Sequence, residues 1–299
     1  MARAISKDFL DDLLTGELKP LLDMVHIDDT LDLELRGKCI NIYYRGGSLF
    51  RITEKVSRTY EIFFDLNYCD TEAWRNTGII VICNPTIQQA VKDIPYYKQA
   101  MDMWLHKNPK YERECQQLLV RENNNQGDIS KSTDYYIIDI EYADSKENRK
   151  SRFDIVALKW ESKSSVRRKP EKCSIALMKL KYGDGTLNTK SGIKKHLNNL
   201  KGFISMKKGE LDDFKKDIET VFKQKCQLGL VDGLQEKQYE VSISFENPEV
   251  IFLFANHDPD SSVLVKELTD INCNDYKGIF DIYILQKHLT LVMGYMRLE

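Results

Sequence analysis

The chain has 299 residues, 42% hydrophobic and 30% charged, with a formal net charge of −2, the composition of a globular protein with a real core. No run approaches the roughly 18 apolar residues of a membrane span. The first twenty residues carry Asp11, Asp12, Glu17 and Lys19, and the seven cysteines form no CxxC pair or zinc-type spacing, which points to a cytoplasmic protein with reduced thiols and no membrane partner.

In chain order, residues 7–25 read as an amphipathic helix bent near Pro20. Residues 39–44 and 49–53, separated by Arg45-Gly46-Gly47-Ser48, form a hairpin signal, and 60–66 adds a third strand. Helices are expected over 86–106 and 109–123, then strands over 135–142, 153–160 and 173–182. Gly183-Asp184-Gly185 stops the last of these. Helices over 190–205 and 210–227 follow, then strands over 239–245 and 250–255 and further apolar pieces at 280–285 and 289–293.

The small net charge conceals an asymmetry. Residues 145–208 hold eighteen Lys or Arg against five Asp or Glu, a surplus of thirteen, so the remainder carries a deficit of fifteen. Such a concentration of positive charge suits a polyanionic partner.

Within that segment Asp154 interrupts the apolar run Phe153–Leu158, and Lys179 and Lys181 interrupt Ile175–Tyr182. Residues two apart on a strand share a face, so both lysines project together. A charge inside a strand covered on both faces is costly unless paired, and two such intrusions in consecutive strands mark a candidate site. Lys194, Lys195 and His196, with Lys190 and Ser191 before them, place further polar groups on the next helix. The Asn256–Asp260 cluster reads as a strand-ending turn, and Gly46-Gly47 as turn chemistry rather than a phosphate loop.

The order helix, three strands, helix, with an aspartate opening the second strand and a charged residue-x-lysine in the third, resembles the PD-(D/E)xK nucleases. Tyr111-Glu112-Arg113-Glu114 is similar to a Glu-Arg-Glu run in one branch of them, and ALMKLKYGDGTLNTKSGIKKHLNNL is similar to bacterial members reading ALIEMKYGDG. The resemblance covers about residues 109–205. It implies an α+β fold with an α/β core: a restriction endonuclease-like mixed sheet flanked by helices, with an N-terminal helix-plus-meander elaboration. It also implies a single domain over 1–299, its core at about 109–255, an elaboration at 1–108 and an extension at 256–299.

By the same resemblance Asp154 is the metal-binding aspartate and Lys181 the catalytic lysine, with magnesium, or manganese in its place, as cofactor. Lys179 stands where the family has its second acidic ligand, and a lysine repels a cation. Glu114 is the preferred replacement, with Glu112 and Glu141 as alternatives, so the expected metal set is Asp154, Glu114 and Glu141. Lys179, Lys190 and Lys195 are the expected substrate contacts, and DNA or RNA the partner of residues 145–208. Three readings stand: a metal-dependent nuclease, a nuclease-like binder without a metal centre, and a protein-interaction scaffold.

Overall fold

The computed structural model describes residues 2–56, 58–125, 133–144, 151–187, 192–205, 208–258, 262–287 and 293–297. The chain divides into two compact units, one from residues 2–131 and 220–239, the other from 132–219 and 240–299.

In the first unit the helix Lys7–Leu14 starts at Ser6, whose Oγ accepts the Phe9 amide at 3.1 Å. It buries Phe9, Leu10 and Leu13. The break expected near Pro20 falls just before it, because the next helix, Lys19–Ile27, carries that proline in its first turn, where no amide is required. Four strands then form an antiparallel meander: β1 (Leu31–Leu35), β2 (Cys39–Tyr44), β3 (Gly47–Glu54) and β4 (Tyr60–Phe63). Strand β1 was not anticipated, since Asp32 and Glu34 read as a polar turn. Both are buried instead, and Glu34 is bonded by Lys225 at 2.6 Å.

Proline also divides the helix expected over 86–106 into Ile87–Lys92 and Ile94–Lys107, with Pro95 opening the second piece. The helix Tyr111–Asn124 forms as expected and belongs to this unit.

The second unit is built on six strands: β5 (Tyr135–Asp144), β6 (Ser151–Lys159), β7 (Cys173–Tyr182), β8 (Ile243–Ala255), β9 (Asp281–Lys287) and β10 (Met293–Arg297). Their order is β10-β9-β8-β7-β6-β5. β5, β6 and β7 are antiparallel neighbours, β8 and β9 run parallel to β7, and β10 reverses. The sheet is therefore mixed, as expected.

The helices Ile193–Ile204 and Lys208–Gln227 lie in the connection from β7 to β8. Phe203 meets Phe153 of β6 at 4.7 Å between ring centroids and Phe214 at 5.1 Å, and Phe214 meets Tyr142 of β5 at 5.3 Å. Burying several large rings on one another is a major favourable contribution to this layer. The two strands expected over 239–245 and 250–255 are one strand, β8, with an interruption near Pro248, and the helix Ser262–Thr269 was not foreseen. Among the described residues no helix is long and apolar enough to cross a membrane.

Candidate functional site

The β6–β7 ladder runs from Lys159–Ser174 to Ile155–Met178, which carries Asp154 and Lys179 to facing positions at its end. There the Lys179 ammonium donates to Asp154 Oδ1 at 2.6 Å, and the Leu180 amide donates to Oδ2 at 2.9 Å. Both side chains are about nine-tenths buried. Each carboxylate oxygen thus has a donor, and the negative charge is neutralised inside the sheet.

Lys181 shares the face of Lys179 and is equally buried. On β8 the positions opposite these lysines are Phe252 and Phe254. Asp139, which sequence reasoning did not select, is 1% exposed and pairs with Val156, two residues from Asp154 on the same face. It reaches that face because the β5–β6 register shifts between Ile137 and Asp139. A bulge of this kind breaks strict alternation, so the sequence pattern could not reveal it.

Glu141 lies between the pairs Ile140–Ile155 and Tyr142–Phe153, across from Asp154. Its φ of 55° is left-handed, a conformation that costs a non-glycine residue about 1–2 kcal/mol. Glu114 occupies a different environment. It accepts from Arg45 Nε at 3.1 Å within the N-terminal unit, where Arg45 also donates to Asp102 at 2.8 Å. Arg45, with φ 47°, turns the β2–β3 hairpin, so these two acids hold a strained cationic turn. Glu112 is on the same helix as Glu114.

Lys195 lies exposed in the first turn of the helix Ile193–Ile204, beside exposed Lys194. Lys190 lies outside the described residues. Two loops meet beyond the carboxyl ends of β7 and β8, where His257 Nδ1 and Asp184 Oδ1 are 2.7 Å apart. Asn256, with φ 55°, makes the expected strand-ending turn there.

The residues present do not fit magnesium. That ion wants octahedral oxygen ligands at about 2.1 Å, and the Lys179 ammonium stands against the oxygen of Asp154 that would supply one. Among the described residues no group of three or more His, Cys, Asp or Glu is placed to hold a metal ion. The chain matches no family model, no curated protein and no solved structure.

Proposed function

We propose that this chain is a nuclease-like nucleic-acid-binding protein in which an internal ion pair stands in place of a metal centre. The observation that carries the reading is the 2.6 Å contact between Lys179 and Asp154. Where the resembled family has a carboxylate, the lysine side chain neutralises the aspartate without an added ion. No Lewis acid is then available to lower the pKa of an attacking water, so recognition of a phosphate backbone remains while hydrolysis is lost. The basic surplus of residues 145–208 supports this, as do exposed Lys194 and Lys195 at one helix terminus.

Fluorescence anisotropy with labelled duplex and single-stranded DNA and RNA tests the reading. Binding should be insensitive to magnesium and weaken with salt, with a slope of roughly −0.9 per phosphate neutralised on duplex DNA. Lys194→Ala with Lys195→Ala should weaken it. Binding that appears only with magnesium would overturn it.

A second reading, metal-dependent phosphodiester hydrolysis, draws on Asp139, which stands on the face of Asp154. It requires Lys179 to leave Asp154 so that both acids face one cation. Cleavage that needs magnesium or manganese and disappears in Asp154→Asn would favour it.

A further inference from the structure

A second polar constellation lies on the opposite sheet face, near the amino ends of β7, β8 and β9. Lys159 is five positions from Asp154 along β6, an odd separation that puts the two side chains on opposite faces. The ladder registers Tyr135–Lys159, Lys159–Ser174, Ala176–Glu249 and Glu249–Asp281 carry this polar row across five strands. It is independent of the Asp154 site.

The row borders a break in the sheet. The parallel β7–β8 ladder passes from Ser174–Ser244 to Ala176–Glu249, so β8 inserts extra residues there. Pro248 lies within the insertion and has no amide to give the ladder. Beside it is an open pocket of about 520 Å³, within the usual size of small-molecule sites.

Its inner end is fixed. Glu249 is 3% exposed, and its carboxylate accepts from the Tyr135 hydroxyl at 2.8 Å and from the Lys159 ammonium. Burial pulls the Lys159 ammonium down, but the bonded Glu249 charge outweighs burial and leaves its pKa raised, so this lysine stays charged. Asp281 faces Glu249 on β9 and also lines the pocket. Carboxylates have more lone pairs than two donors fill, so this end accepts ligand hydroxyls.

The outer end has the opposite character. Lys169 and Lys172 line it from an exposed loop, and neither makes a side-chain ion pair with a described residue. Two ammonium groups converging on one rim repel unless an anion lies between them. The hydroxyls of Ser174 and Ser244 also face the pocket. Ser244 Oγ accepts the Glu246 amide at 3.2 Å and keeps its own proton to donate.

We propose that this pocket binds a small phosphate monoester bearing several hydroxyls, either a sugar phosphate or a nucleoside monophosphate. The phosphate sits at Lys169 and Lys172, and the hydroxyls donate to Glu249 and Asp281. The reverse orientation would set phosphate against carboxylates, which fixes the direction of binding.

Calorimetric titration of the full chain with ribose 5-phosphate, AMP, ribose, adenosine and inorganic phosphate tests the proposal. One or both esters should saturate, about tenfold or more tighter than inorganic phosphate or the unphosphorylated compounds. Tighter binding of AMP than of ribose 5-phosphate identifies a nucleotide, and equal or weaker binding a sugar phosphate. Lys169→Glu with Lys172→Glu changes only exposed positions and should weaken the ester about tenfold or more. Lys194→Ala with Lys195→Ala should leave it unchanged, which separates this pocket from the nucleic-acid face.

The proposal is overturned if neither ester gives saturable heat while circular dichroism shows a folded chain. It is equally overturned if inorganic phosphate binds as tightly as the esters, or if the rim variant binds the ester as well as the parent does.

Discussion

Asp154 and Lys179 make the outcome at this site depend on two buried atoms. A buried pair gains little over well-packed apolar residues, yet losing one partner leaves an uncompensated charge, at a cost of about 3–5 kcal/mol. Lys179→Met should therefore lower stability by about that amount in urea unfolding, and adding Asp154→Leu should recover much of it. Equal losses in the single and double variants would mean the pair is not the source. Lys179→Glu sets a second carboxylate beside the first. Its melting temperature should rise with magnesium, as binding to the folded state alone requires, while the parent should not respond. Elsewhere, burial pushes the Cys173 and Cys226 thiols up to about 12, so alkylation of the native chain near pH 8 should spare both cysteines. Mass spectrometry after brief labelling checks this, and rapid modification of either would contradict their burial.

At the scale of elements, the β2–β3 hairpin shows how a turn is locked. Gly46 has φ +76°, and a Cβ there would stand 2.8 Å from the Glu114 amide nitrogen and 2.9 Å from the Lys110 carbonyl oxygen. Its own amide donates to Gln117 Oε1 at 3.0 Å. Backbone atoms cannot give way as a flexible side chain can, so Gly46→Ala should cost at least the roughly 1–2 kcal/mol of the left-handed conformation. A urea midpoint equal to that of the parent would refute this. Such elements were legible where the signal is local: glycine in the hairpin, period-two runs in β5 to β7, and the leucine stripe of the helix Ile193–Ile204. Strand β1 was not legible, because the lysine that makes buried Glu34 tolerable lies 191 positions away. Nor was the continuity of β8 across Pro248, since proline reads locally as a strand end. The role of Glu114 was hidden for the same reason as β1, as its partner Arg45 is 69 positions distant.

Across the whole molecule, charge is distributed against the near-neutral total. Exposed cations of residues 145–208 sit on the unit that carries the mixed sheet, while Asp154, Lys179 and Lys181 are withdrawn into it. This separates two tasks that one metal centre combines: attraction of phosphate through exposed lysines, and neutralisation of a buried carboxylate through Lys179. The intrusive charges in β6 and β7 were legible as a site from composition alone. Their mutual contact was not, because it depends on an antiparallel register that a single sequence leaves open. The most direct test of the central claim is one anisotropy titration of labelled nucleic acid, run in magnesium and in EDTA. The account predicts superimposable curves and intact probe in both; binding confined to magnesium, with cleavage of the probe, would contradict it.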